Sequence, residues 1–418
     1  MLKTSGKARN MCAWLRLIVM RCEPLCAVED LLLRQAVRYD PIPRTSLTRY
    51  LMAVHAEVVQ QVNSRLPNYF GIVFDGWTER RTHYLAIFAV YDAKSAASKL
   101  SMLAFTTFQD QTNLTADNNI HLLEKVLDDY TKSRSAIIFA IGDNCQTNQA
   151  IANRMCHPFI GCATHRQNLA VQDILDEYEA DLRRINEIMV CRGKIKKMDE
   201  LRKRTKLQPI TRNATRWGST YHTPKRFFKL ELSIDKEGDE LAAKLPNSET
   251  RLKLKGLMEN TLSSLEQATK LLQGEDVSLA VARCIFDWVV KKLPQTELRL
   301  NNRTAVIVNP DFEDGTVKVL DGQAESLTSH QKQAVSIFRV GEPEADALDD
   351  DDLAPHLQLK RARKSRSSTY LNLSYIHATS KTCERVFCLA RRIKIDYRKS
   401  MSDQTFEALM VLHANVDL

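Results

Sequence analysis

The chain has 418 residues, too many for one ordinary domain and enough for two or three with buried cores. With 44% hydrophobic and 27% charged residues and only 13 Gly and 12 Pro, the composition excludes a fibrous or disordered chain and suits a helix-rich globular one. The formal charge is +9, and no apolar run approaches the roughly 20 residues a membrane span requires, so no membrane partner is expected.

Residues 1–66 read as a helical N-terminal segment. Trp14, Ile18 and Val19, then Leu51, Val54, Val58 and Val62, recur at helical spacing. The stretch 11–20 has the length of a signal core, but Arg16 interrupts it and no small-residue cleavage site follows, which points to an intracellular helix. The 10 cysteines are sparse for a disulfide scaffold and fit a reducing compartment. Three runs rich in β-formers follow: 70–74, ending in Asp75, then 83–91 and 100–108. Short polar loops between them predict an antiparallel meander. Helical spacing returns over 118–130, with Thr115 placed to cap it. Residues 136–141 form a fourth strand ending at Gly142-Asp143; a helix begins at Gln146, a brief strand covers 158–162, and a long helix starts at His165. A helical crossover places the fourth strand parallel to and beside the first, so Asp75 and Asp143 should leave the sheet at the same edge.

Beyond about residue 181 the strand pattern nearly disappears. Leu254, Leu257, Met258, Leu265, Ala268 and Leu272 form one helical stripe, and 277–293 forms another apolar helix. Residues 304–320, with Asp314-Gly315 at a turn, predict a small hairpin. Between 191 and 230, thirteen Lys and Arg stand against Asp199 and Glu200, a net +11 that leaves −2 for the rest of the chain. Such a segment is either a phosphate-binding surface or a solvated helix face. Cys156, His157, Cys162 and His165 stand close together, but the pairs do not repeat at a zinc-finger spacing. Residues 341–352 hold seven acids and no base, and 360–366 five basic residues in seven, which read as an exposed linker with a run suited to nuclear import. Two helices close the chain. Ser380 is placed to cap the first, with Glu384 in its first turn, and the second begins after Ser402.

Five segments, in this order, resemble the landmarks of hAT superfamily (hobo/Activator class) DNA transposases. They are FDGWTERRTHYLAIFAVYD at 74–92, IGDNCQTNQAIANRM at 141–155, GCATHRQNLAV at 161–171, TRNATRWGST at 211–220, and SKTCERVFC through ALMVLHANVDL at the C-terminus. The resemblance spans roughly residues 10–418. It implies an α/β fold: a ribonuclease H-like core with a mixed five-stranded sheet, interrupted before its last helix by a large all-α insertion. The implied plan is a helical segment over 1–66, the first part of the core over 67–185, a mainly helical insertion and charged linker over 186–370, and the last core helix with the dimerisation segment over 371–418.

By the same resemblance, Asp75, Asp143 and Glu384 are the catalytic, metal-binding carboxylates for Mg2+ or Mn2+, the ions that two-metal phosphodiester chemistry uses. Glu384 lies 241 residues after Asp143 and reaches the core only because the insertion loops out. DNA-binding roles fall on His165, Arg216 and Trp217, with Trp217 offering a stacking surface to a displaced base. They also fall on Lys194, Lys196, Lys197, Arg202, Lys203 and Arg204 of the basic segment. The implied activity is cut-and-paste strand cleavage and transfer in the nucleus. The implied partners are transposon ends and flanking DNA, and further copies of the chain in a homodimer or higher oligomer. Three features depart from the pattern: the BED zinc finger with which the family usually begins has no counterpart ahead of the core, Cys388 stands where Ser is usual, and the insertion is short. These departures make a truncated or domesticated copy, a catalytically inactive DNA-binding and dimerising protein, the alternative.

Overall fold

The computed structural model describes residues 5–92, 99–213, 217–233, 244–274, 277–340, 369–394 and 401–416. Both charge blocks, 341–352 and 360–366, lie outside them, as does Arg216. In chain order the elements are α1 (Gly6–Arg21), α2 (Leu31–Val37), α3 (Arg44–Arg65), β1 (Phe70–Glu79), β2 (Thr82–Tyr91), β3 (Lys99–Thr107), α4 (Ala116–Asp129), β4 (Ile137–Gly142), α5 (Gln146–Met155) and β5 (Phe159–Gly161). There follow α6 (Ala163–Leu175), α7 (Glu179–Arg192), α8 (Ile195–Arg202), α9 (Trp217–Leu230), α10 (Ser248–Gly256), α11 (Ser263–Leu272), α12 (Leu279–Lys292), α13 (Glu297–Leu300), α14 (Pro310–Leu320), α15 (Ser329–Ala334), α16 (Lys381–Ile393) and α17 (Asp403–Ala414). The chain divides into two compact units. One comprises Met1–Cys162, Ser278–Ala280 and Val308–Leu418; the other comprises Ala163–Val277 and Val281–Ile307.

The first unit is a mixed α/β structure around a five-stranded sheet of order β3-β2-β1-β4-β5. β1 is antiparallel to β2 and β2 to β3, whereas β1 and β4, and β4 and β5, are parallel. The crossover through α4 sets β4 beside β1, as the order of elements in the sequence requires. β1 does not stop at residue 74, however. It stays paired through Asp75↔Ala86 to Glu79↔Thr82, so the hairpin turn is Arg80-Arg81 alone. Both turn residues have positive φ, 48° and 72°, the conformation of a tight two-residue turn that continues the twist of its strands. Asn-Gly would have announced such a turn; two arginines do not.

Strand alternation assigns the two sheet faces. Ile72, Phe74, Leu85, Ile87 and Leu103 pack with Val62 of α3, Leu123 and Leu127 of α4, and Ile151 and Met155 of α5 into one core. Val73, Asp75 and Trp77 point to the other face, where α16 packs on β1 and β2 and the Phe387 ring stacks on Trp77 at 6.0 Å. On that face of β4, Phe139 is enclosed by Phe312, Phe338 and Tyr375, with ring centroids 6.1–6.4 Å away. Gly71 is required beside it, because a Cβ there would stand 2.1 Å from Phe139 Cζ.

α17 covers the free edge of the sheet, packing on β3 and α3. Its Ser402 cap accepts from the Thr405 N–H, as expected for a helix starting there. Past its end, the Asn415 side chain accepts from the Met102 N–H at 3.1 Å and donates to the Met102 carbonyl at 3.0 Å, satisfying edge-strand groups that would otherwise invite another strand. Phe406, Leu409 and Met410 of α17 are buried within the chain itself.

Residues 310–320 form α14 rather than a hairpin: Pro310 sits at its first position, Asp311 and Glu313 in its first turn favour the helix N-terminus, and Gly315 packs close to Val335 instead of turning. Thr115 precedes α4 but does not cap it, since its hydroxyl bonds Asn113 Oδ1 at 2.8 Å.

The second unit is helical in its described residues. Leu254, Leu257, Met258, Leu265, Ala268 and Leu272, the stripe visible in the sequence, are buried along α10, a π-helical turn at Leu257–Leu262, and α11. Buried Arg166 of α6 donates to the carbonyls of Arg299, Leu300 and Asn301 at the end of α13, a cation satisfying helix C-terminal acceptors. Among the described residues, no helix is long and apolar enough to cross a membrane.

Candidate active site

The parallel register Val73↔Ile141, continued by two residues, sets Asp75 alongside Asp143 where the strands part. Gly142 still lies against β1 there, for a Cβ on it would be 3.2 Å from the Phe74 carbonyl oxygen. Asp75 remains in the β1–β2 ladder, and the Gly76 N–H donates to its Oδ1 at 2.8 Å. Asp143 opens the loop into α5, its carbonyl accepting from the Cys145 N–H at 2.8 Å and from Asn148 Nδ2 at 3.0 Å. The partner at Gly161 is fixed as tightly: a Cβ there would fall 1.7 Å from Asn144 Oδ1.

The third acid arrives on α16, which runs along β1 in the same direction. Cys383 Sγ reaches the carbonyl of Ala86, the cross-strand partner of Asp75. Phe387 stacks on Trp77, and Arg391 Nε lies 3.8 Å from Glu79 Oε2. Four helical residues advance about 6 Å and two strand residues about 6.6 Å, so the helix and strand stay in step over these contacts. Glu384 follows Cys383 in the first turn and is exposed.

Ser380 does not act as the expected side-chain cap. Its hydroxyl donates to Asp143 Oδ1 at 3.3 Å, and its N–H donates to Cys162 Sγ at 3.4 Å. The start of the helix bearing Glu384 is therefore tied directly to the second aspartate. No local signal could reveal this bond, because 237 residues separate its partners.

Burial pushes the Asp75 carboxyl well above the usual carboxylate range; the negative charge of Asp143 adds to the effect, the Gly76 bond opposes it, and Glu384 adds a smaller push. The buried Cys383 thiol is raised by burial first, and then by Asp75, Asp143, Cys162 and Glu384. Asp75 thus lies within the fields of both Asp143 and Glu384. The hard oxygen donors of the three acids suit Mg2+ or Mn2+, and a divalent cation would favour the ionised form that burial, and then the Asp143 charge, disfavour at Asp75. Among the described residues, no three His, Cys, Asp or Glu side chains converge closely enough to hold one ion, so a cation here would need water or phosphate oxygens to complete its shell.

The other candidate residues belong to the second unit. His165 and Trp217 are half-buried. Lys194, Arg202, Lys203 and Arg204 are exposed, and Lys196 lies on α8. Lys197 pairs with Glu200 at 3.6 Å and Lys203 with Asp199 at 3.4 Å, so both acids of the basic segment are met by lysines of the segment itself. Arg212 is structural: it donates to Glu179 Oε2 at 2.7 Å and Thr220 Oγ1 at 2.8 Å, joining α7 to α9. Of the four residues weighed for zinc, Cys156 ends α5 in a left-handed conformation, and the His157 ring donates to the Arg134 carbonyl at 3.1 Å.

No family model matches this chain, and no curated protein matches it.

Proposed function

We propose that the first unit is a ribonuclease H-like nuclease core of hAT transposase type, which cleaves and transfers DNA strands at transposon ends. The observation that carries this reading is the position of Asp75 two residues past the last β1–β4 pair and of Asp143 just past the end of β4, at one edge of two parallel strands, with Glu384 on a helix aligned to β1. Asp75, Asp143 and Glu384 would hold Mg2+ or Mn2+, which when bound supplies activation of the attacking oxygen and stabilisation of the leaving one. The chain's own contribution is placement. The β1–β4 register leads to Asp75 and Asp143 at one sheet edge, Ser380 donates to the Asp143 carboxylate, and the contacts of α16 with β1 and β2 would bring Glu384 toward them. His165, Trp217, Arg216 and the lysines and arginines of 194–204 are proposed DNA contacts of the second unit. The nuclear location and the homodimer or larger assembly follow from the resemblance.

The test is cleavage of a duplex carrying hAT-type terminal repeats by the purified chain with Mg2+ or Mn2+. Asp75→Asn should lower the rate at least about a thousandfold, equivalent to about 4 kcal/mol of transition-state stabilisation. Full activity in that variant, or no cleavage by the unaltered protein with either metal, refutes the reading.

One observation favours a second reading, a catalytically silent DNA-binding module on the same scaffold: the described acids do not close into a three-ligand group. That reading requires salt-sensitive, sequence-tolerant DNA binding without turnover.

A further inference from the structure

The turn joining β1 to β2 uses two arginines where a two-residue hairpin favours Asn-Gly. Arg80 and Arg81 are consecutive, both lie at positive φ, and both are exposed. Left-handed backbone is unfavourable for any residue with a Cβ, and exposed side chains return little packing in compensation. A strained, exposed and charged turn on the strand that carries Asp75 therefore suggests a use outside the fold.

The surroundings define that use. Glu79 is approached by two guanidiniums, Arg80 Nε at 3.9 Å and Arg391 Nε at 3.8 Å. Arg392, next on α16, is exposed as well. Lys394, which feels the charges of both Glu79 and Arg80, pairs with Asp403 at 3.8 Å, so Arg80, Arg81 and Arg391 against Glu79 leave an excess of positive charge at this end of β1. The same two elements carry the acids: β1 bears Asp75 five residues before Arg80, and α16 bears Glu384 seven residues before Arg391. Five strand residues span about 17 Å, the axial length of about five base pairs at 3.4 Å each.

We propose that the Arg80-Arg81 turn, with Arg391 beside it, is a contact for the phosphate backbone of duplex DNA about five base pairs to one side of the scissile phosphate. The partner is a polyanion whose charges repeat along a rod, which suits a patch set at a fixed distance from the acid cluster. This rests on the nuclease reading above, but it makes a claim about binding that can be measured without cleavage.

The experiment uses the full chain in EDTA and a fluorescent duplex at several salt concentrations. The variant Arg80→Asn/Arg81→Gly replaces the turn with residues suited to its conformation, so it should fold and melt about 2–4 °C higher. Its affinity at 0.1 M salt should fall at least tenfold, and the slope of log K against log salt should become shallower by about 2, because each phosphate contact contributes about 0.9. The pair Arg16→Asn/Arg21→Asn on α1 removes the same charge elsewhere and should change neither quantity comparably. Equal losses in the two variants, or an unchanged slope in the turn variant, overturn the proposal, as does an unaltered protein that fails to bind duplex at low salt. If the turn variant loses binding while the unaltered protein never cleaves, the contact stands and the nuclease reading falls; if cleavage is seen and the turn variant binds normally, only the contact falls.

Discussion

Gly71→Ala tests whether the β1–β4 register is held as tightly as the site requires. The new Cβ would lie 2.1 Å from Phe139 Cζ, and ordinary contact begins near 3.4 Å, so the ring would have to retreat by about 1.3 Å. It has nowhere to go: Phe139 is fully buried, with Phe312, Phe338 and Tyr375 around it. Overpacking typically costs about 1–3 kcal/mol, and the enclosed ring places this substitution at the upper end. Phe139→Ala alone should cost about 3–5 kcal/mol through the cavity it leaves. In the double variant the clash is gone and the added methyl occupies part of that cavity, so its cost should match Phe139→Ala alone. The coupling energy is then about 2–3 kcal/mol, measurable by urea denaturation of the four proteins. A cost below about 0.5 kcal/mol for Gly71→Ala, or simple additivity, would show that the ring and strands shift freely. The site would register the change too, since Gly71 and Phe139 each lie four residues before an aspartate of the pair.

Two further predictions concern the cover on β3. Burial, then the charge of Asp129, pushes the Glu407 carboxyl up to about 7, with a bond from the Phe105 backbone and the charge of Lys125 opposing. Its folded value exceeds its unfolded value of 4.5, so its contribution to stability is complete below 4.5 and is lost as pH rises through about 7. The loss is at most about 3 kcal/mol, and Glu407→Gln should flatten the fall in urea midpoint between pH 4.5 and 8; an unchanged pH profile would exonerate this group. Asn415→Ala strands the Met102 N–H and carbonyl on the sheet edge and should cost about 2 kcal/mol in the same assay, whereas a cost near zero would mean water replaces the amide.

What could be read from the sequence follows the range of the interactions. The sheet was legible because the runs of β-formers and the crossover through α4 are local patterns, and such a crossover sets β4 parallel to and beside β1. Asp75 and Asp143 came with it, as the ends of runs whose pairing the topology dictates. The length of β1 was not legible, because Arg80-Arg81 carries none of the turn chemistry that its conformation demands. Nor was α14: Asp314-Gly315 has the composition of a turn, and only the close approach of Val335 explains a glycine inside that helix.

Glu384 differs from the aspartates in kind. The paired backbones of β1 and β4 lead directly to Asp75 and Asp143. Glu384 depends on side-chain contacts that span the sequence: Ser380 to Asp143, Cys383 to Ala86, 297 residues apart, and Phe387 on Trp77. None has a local signature, so in the sequence only the resemblance points to this acid, and its geometry follows from the packing of α16. The same dependence makes the cluster selective in how it fails. Loss of the α16 contacts would remove Glu384 and the hydroxyl that holds Asp143, yet leave the sheet edge and its two aspartates in register.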